Sequence, residues 1–143
     1  MATPKEECED LMCAVMPRAE ELLAKHGEFL PFGATLSPSN EVILAAAHTG
    51  QEQPPSLDVI RLLEEGFRRG AAEAQYKATA LVYDVRVVPP KKAEKQDAIA
   101  VRLDHRDRYA VVVYFPYVLT PSGEPALDAP FATAVDAPIF ASP

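Results

Sequence analysis

The chain has 143 residues, a formal net charge of −7 at pH 7, and 48% hydrophobic and 24% charged residues. This length and composition predict one folded domain whose core is large enough to form without disulfides. The negative charge repels phosphate groups, so we expect neither nucleic acid nor an anionic membrane as a partner. No apolar run follows a basic start or reaches the length of a membrane span, and we therefore expect a cytoplasmic location.

The first predicted element is an amphipathic helix that ends at Gly27. Pro17 lies inside this helix, where its ring and missing amide predict a kink or, failing that, two helices that meet there. Cys8 falls within the apolar stripe and Cys13 outside it, so both are expected to be free thiols. The stripe recurs every three or four residues and comprises Cys8, Leu11, Met12, Val15, Met16, Ala19, Leu22, Leu23 and His26.

A β-hairpin and a second helix are expected next. The apolar stretches 29–36 and 41–47 flank the turn residues Ser37-Pro38-Ser39-Asn40, which favour chain reversal. After the polar loop 48–55, Ser56 is predicted to cap a helix whose apolar arc packs on a sheet. Gly70 lies in that arc, and glycine inside a helix predicts a close approach by another part of the chain.

Three longer strands, 79–88, 97–104 and 109–118, predict a β-meander in the second half. If the first loop closes a simple hairpin, Val87 lies opposite Ile99, and Asp84 lies opposite Arg102 as a cross-strand ion pair. The second hairpin then sets Ala98, Ala100 and Arg102 beside Phe115, Val113 and Val111. Both faces of the sheet are therefore apolar, and we expect the proline-rich tail 119–143, or another subunit, to cover the second face.

One cluster of ionisable residues could carry chemistry, namely Asp84, Arg86, Arg102, Asp104 and His105. Opposite charges on neighbouring strands are more often structural pairs, and His105 is expected to be solvated at its turn, so we assign no catalytic residue. The segment Asp104-His105-Arg106-Asp107 lacks a second histidine, and its neighbouring arginines oppose a cation. The sequence therefore predicts no metal site, and no cofactor-binding motif is present.

The complete order is helix, two strands, helix, three strands. It predicts a single α+β domain, residues 1–143, with a five-stranded antiparallel sheet, two main helices and a proline-rich C-terminal extension that packs on the domain. Over residues 5–118 this order is similar to that of profilin-like and roadblock-type domains. The resemblance implies a binding or scaffolding module, often a dimeric one.

We therefore expect a protein-binding, regulatory or scaffolding module without enzymatic activity or cofactor, whose partner is another protein or a second copy. The alternative is a small-molecule-binding domain, or an enzyme without a local motif. Its pocket would lie between the sheet and the tail, polarised by Arg102 or Asp104 and lined by Tyr83, Tyr109, Tyr114 and Tyr117. The predicted binding surface comprises Asp84, Arg86, Arg102, Asp104, Val111, Val113 and Phe115.

Overall fold

The computed structural model describes residues 3–46, 55–135 and 139–140. Two helices and seven strands follow one another in this part of the chain. They are α1 (Pro4–His26), β1 (Phe32–Leu36), β2 (Val42–Ala45), α2 (Ser56–Ala72), β3 (Ala78–Val87), β4 (Gln96–His105), β5 (Tyr109–Leu119), β6 (Pro125–Leu127) and β7 (Phe131–Ala134).

Helix α1 runs without interruption through Pro17, so the alternative of two separate helices is wrong. The Thr3 hydroxyl accepts from the amide of Glu6 at the start, and Gly27 ends the helix in the left-handed conformation, with φ of 74°. The stripe that is buried comprises Cys8, Leu11, Val15, Ala19 and Leu23. His26 is exposed, contrary to the prediction, because the buried part of the stripe already ends at Leu23.

Helix α2 begins at Ser56, and Pro55 stands in the capping position without a side-chain hydrogen bond. The predicted cap by Ser56 is therefore wrong by one residue. The apolar arc is as expected, since Val59, Leu63 and Phe67 are buried.

Gly70 is the point of close approach on α2. A Cβ atom there would overlap the ring and hydroxyl of Tyr76, whereas a Cβ at Gly66 would meet nothing within 4 Å. The Tyr76 hydroxyl is held in place because it lies 3.0 Å from the carbonyl oxygens of both Gly66 and Phe67. The close approach predicted from the glycine is present.

We expect Gly70→Ala to lower the free energy of unfolding by about 1–3 kcal/mol, because the methyl group displaces the Tyr76 hydroxyl from its acceptors. Gly66→Ala is the matched control, and it should raise stability by up to about 1 kcal/mol through helix propensity alone. Urea unfolding of both variants is the measurement. Equal effects of the two substitutions would contradict the role given to Tyr76.

The strands form one antiparallel sheet in the order β2-β1-β3-β4-β5-β6, and β7 also pairs with β5. The two helices lie on opposite faces of this sheet, which we call the α1 face and the α2 face. The α1 face is buried against α1 by residues that include Ala34, Leu36, Ala80, Val82, Ile99, Val101, Leu103 and Tyr117. On the α2 face Leu81 packs with Val59, Leu63, Phe67 and Ile139. The α+β class, with two helices on an antiparallel sheet, is confirmed.

The predicted register between β3 and β4 is wrong. Val87 lies opposite Gln96, and Asp84 lies opposite Ile99, so Asp84 and Arg102 do not pair. The observed register places Val82 opposite Val101, where both side chains enter the α1 core. Because β3 is apolar on both faces, alternation along its sequence could not choose between registers that differ by an odd number of residues.

The second hairpin differs from the prediction by one position. Arg108 adopts the left-handed conformation, with φ of 65°, and the loop closes between His105 and Tyr109. Phe115 therefore lies opposite Ile99 and not beside Ala98. The side chains of Val111, Val113 and Phe115 consequently pack, partly buried, against the core of the α1 face.

The C-terminal region lengthens the sheet, which has seven strands where five were predicted. Strand β6 pairs with β5 near Tyr117, and β7 pairs with β5 near Val112. Beyond β7, Ile139 is buried on the α2 face. Each face of the sheet is thus covered, one by α1 and the other by α2 together with Ile139.

Candidate functional site

The residues of the predicted ionisable cluster do not converge. Asp84 and Arg86 lie on the α1 face, where the Tyr117 hydroxyl donates to Asp84 at 2.8 Å and Arg86 pairs with Asp97 at 3.5 Å. Burial raises the pKa of Asp84, and the hydrogen bond from Tyr117 opposes this shift. Asp84 and Arg86 are thus each paired with another residue of this chain.

Arg102 and Asp104 lie on the opposite, α2 face and form a buried polar cluster. The Nε atom of Arg102 donates to Asp104 at 3.1 Å, and its Nη1 atom donates to Glu64 of α2 at 3.1 Å. The other carboxylate oxygen of Asp104 accepts from the amide of Ile139 at 2.9 Å. Burial raises the pKa of Asp104, against these hydrogen bonds. The cluster joins α2, β4 and the C-terminal segment, which is a structural role.

His105 is buried, contrary to the expectation of a solvated turn residue. Its Nδ1 atom accepts from the amide of Asp107 at 3.0 Å, so the proton lies on Nε2, which donates to Glu7 at 3.0 Å. Lys77 forms an ion pair with the other oxygen of Glu7. Glu7 stands in the first turn of α1, far from His105 in sequence, and no local pattern signals this contact. Glu7, Lys77 and His105 are thus paired with one another, which is a structural role.

The pocket proposed for the alternative function does not form as predicted. Tyr83 and Tyr114 lie on the α2 face, opposite Ala100 in neighbouring strands, while Tyr109 and Tyr117 belong to the α1 core. The sheet separates the two pairs. Tyr114 instead stacks on Phe131 of β7, with ring centroids 5.1 Å apart.

Strand β2 is an edge of the sheet and has no partner on its outer side among the residues that the structure describes. Its side chains Val42, Ile43 and Leu44 are exposed by 43%, 56% and 57%. Proteins usually protect such edges with charges or prolines, because unpaired strand groups recruit other strands. Here the edge is apolar on both faces.

The direction of the backbone groups on β2 follows from its hairpin with β1. The carbonyl of Glu41 accepts from the amide of Ser37, so the polar backbone groups of Glu41 point towards β1. Because these groups alternate along an antiparallel strand, those of Ile43 also point inward, and those of Val42 and Leu44 point outward. The outer edge therefore presents the amide and carbonyl of both residues.

A groove of about 400 Å³ lies beside this edge on the α2 face, between α2 and strands β1 and β2. No charged side chain lines it, so it suits an apolar group and not an ionic ligand. Its walls are formed by Thr35, Ala45, Ala46, Leu62, Leu63, Gly66, Phe67 and Tyr76. We take the β2 edge with this groove as the candidate site.

Sequence reasoning missed this site because Val42-Ile43-Leu44-Ala45 resembles a buried strand. A short, continuous apolar run is typical of the middle of a sheet. Only the strand order shows that it lies at the edge. The absence of any charge between Val42 and Ala46, in a chain with 24% charged residues, is the one signal that could have drawn attention to it.

Other classes of site receive no support from the residues described. Within 3–46, 55–135 and 139–140, no three His, Cys, Asp or Glu side chains are grouped so as to hold a metal ion. Neither helix in these ranges combines the length and apolar character that crossing a membrane requires. No protein-family model, curated protein or solved structure matches the chain.

Proposed function

We propose that this chain is a protein-binding module whose β2 edge accepts a strand from another polypeptide. The observation that carries the proposal is the unprotected edge itself, with outward backbone groups at Val42 and Leu44 and three exposed apolar side chains. An added strand satisfies these backbone groups and removes the apolar side chains from water.

The groove supplies the second element of recognition. A strand that pairs with β2 directs alternate side chains towards the α2 face. The groove wall formed by Ala45 and Leu62 lies on that face. In complexes formed by strand addition, the backbone provides affinity and such pockets select particular side chains. An apolar side chain in the added strand therefore fits best.

This function is of the binding or scaffolding kind expected from the sequence. It requires no cofactor and suits a cytoplasmic protein. The alternative, a small-molecule site or an enzyme, has less support because the four tyrosines proposed to line its pocket are divided between two faces of the sheet.

Placing a charge on the edge tests the proposal. We expect Ile43→Lys to reduce the amount of polypeptide bound, whether another protein or a second copy, by about tenfold or more, because the added strand must then bury an ammonium group. Val118→Lys is the matched control. Val118 is exposed by 58%, close to the 56% of Ile43, and it lies on β5 at the other side of the sheet.

The measurement combines light scattering with mass spectrometry of the chains that purify with each variant. Both substitutions are at exposed positions, so thermal unfolding should be unchanged and any loss of binding is local. If Ile43→Lys and Val118→Lys retain the same bound chains and the same molar mass as the native protein, the β2 edge is not a binding site.

A further inference from the structure

We infer that the strand added to β2 is the β2 strand of a second copy of this chain, paired antiparallel about a two-fold axis at Ile43. This inference rests on the proposed function and specifies its partner. It is drawn from the directions of the backbone groups, the side chains on each face and the positions of charge along the edge.

The backbone of β2 is complementary to itself in this register. Val42 and Leu44, whose polar groups point outward, flank Ile43 at equal distances. A two-fold axis at Ile43 sets Val42 opposite Leu44 of the copy, and each such pair exchanges two backbone hydrogen bonds. The symmetry repeats this pair, so the outward groups of both residues are satisfied in both molecules.

The side chains also match across the axis. Leu44 lies opposite Ala34 and Val42 opposite Leu36, so both side chains project on the α1 face. Ile43, opposite Thr35, projects with Ala45 on the α2 face. In the pair, Val42 meets Leu44 and Ile43 meets Ile43, and apolar cross-strand pairs of this kind contribute roughly 0.2–1 kcal/mol each.

Charge selects this register from its neighbours. Two copies with a net charge of −7 repel each other, so they should meet where the surface is uncharged. With the axis at Ile43, the two Glu41 residues are about 14 Å apart along the strands, beyond the Debye length of about 8 Å at physiological salt. An axis at Val42 would bring them to about 7 Å, within that length.

An axis at Leu44 is also less favourable, because it would set Val42 opposite Ala46, which lies beyond the end of β2.

Pairing with a second copy has a further advantage over pairing with a strand of an unrelated protein. Each molecule has the same unprotected edge, and a two-fold contact covers both edges at once with one surface. A second copy therefore covers the edge with Ile43 as its apolar side chain on the α2 face, while Glu41 of the copy lies opposite Ala45 at the rim of the groove and leaves the groove itself unfilled.

Single cysteines test the register. In a Cys13→Ser background, Ile43→Cys should form a disulfide-linked dimer with oxidised glutathione, since residues paired across such an axis have Cα atoms about 4.5 Å apart. Cys8 can remain because it is buried and its pKa is raised to about 12, mainly by burial.

Val42→Cys and Leu44→Cys in the same background are the matched controls. Each of these residues lies two positions from its own counterpart, which gives a Cα separation of about 8 Å, too far for a disulfide. We expect at least about tenfold more linked dimer from Ile43→Cys than from either control. Light scattering of the native chain should give the mass of a dimer, and Ile43→Lys, which sets two ammonium groups opposite each other, should give that of a monomer.

A control that links as well as Ile43→Cys would overturn the register. A native chain that is monomeric at every concentration, with no linkage through Ile43→Cys, would overturn the second copy as partner. The proposed function would survive that result if Ile43→Lys still lost a different bound polypeptide that Val118→Lys retained. If no bound chain depended on Ile43, both proposals would fail.

Discussion

Replacing Asp104 by alanine is expected to lower the free energy of unfolding by about 2–4 kcal/mol, because two buried hydrogen bonds are lost while Arg102 keeps its ion pair with Glu64. Asp104 is 1% exposed and accepts from both Arg102 and the amide of Ile139. Without it, the amide of Ile139 loses its acceptor, and Arg102 loses one of its hydrogen bonds on the α2 face. Each buried donor left in this way costs about 1–3 kcal/mol.

The measurement for Asp104→Ala is urea unfolding together with hydrogen exchange at the Ile139 amide, which should become faster. Asp97→Ala is the matched control, since Asp97 also pairs with an arginine, Arg86, but on the surface. Its effect should stay within about 0.5 kcal/mol. Slow exchange at Ile139 in Asp104→Ala would show that other contacts hold the C-terminal segment.

Glu7→Gln is expected to have an effect of similar size, about 3 kcal/mol. Both groups that face Glu7 are donors, namely the ammonium of Lys77 and the Nε2 atom of His105. A glutamine keeps the volume but offers one acceptor and one donor, so one of the two groups faces an N–H. Lys77 is 7% exposed, and its charge would lose its counter-ion with little access to water.

The contribution of Glu7 should depend on pH. Its pKa is lowered from the ordinary 4.5, chiefly by the hydrogen bond from Lys77, against burial, and further by the hydrogen bond from His105. A lowered pKa in the folded state gives stability that is present above the unfolded value and is lost as the pH falls through the folded value. The stability difference between native protein and Glu7→Gln should therefore be full at neutral pH and shrink below about pH 4.5.

Taking the difference between the two proteins removes the contributions of ionisable groups that do not contact Glu7. Asp84 and Asp104, whose pKa values are raised by burial, titrate in both proteins and cancel. Glu21→Gln is a control on the same helix. The hydrogen bond from Lys25 lowers the pKa of Glu21 as well, but this pair is exposed to solvent, so the stability of Glu21→Gln should depart from that of the native chain far less than that of Glu7→Gln. A difference for Glu7→Gln that stayed constant down to pH 3 would contradict the ionic role of Glu7.

Local patterns predicted most of the elements. The period of the apolar residues located α1 and α2, and the long β-branched runs located β3, β4 and β5 to within about a residue. The same patterns could not set the register. Val82 and Tyr83 are both apolar, so alternation allowed either face of β3 to pack against α1. The left-handed conformation of Arg108 shifts β5 by one position, and a non-glycine residue gives no sign of that conformation in the sequence.

The β2 edge could not be predicted from the sequence for a different reason. Whether a strand lies at an edge depends on the order of the strands in the sheet. Here β3, which follows α2 in the sequence, pairs with β1 and not with β2, so β2 is left as the outermost strand. The residues predicted to form one binding surface alternate between two faces, because a slip by an odd number of positions reverses every side chain of a strand. Burial of His105 depends likewise on Glu7 and Lys77, which come from other elements.

The two borders of the sheet differ, and the difference bears on how many molecules the proposed pairing through β2 would join. At the far border, β5 is paired with β7 over residues 111–114 and with β6 over residues 117–119, and β6 begins with a proline, which lacks an amide to donate. Strand β7 is as short as β2, but among the residues of β6 and β7 only Leu127 is an exposed large apolar side chain. If two chains pair through β2, we therefore expect a dimer and no fibre, because the far border lacks a run of exposed apolar side chains like that of Val42, Ile43 and Leu44.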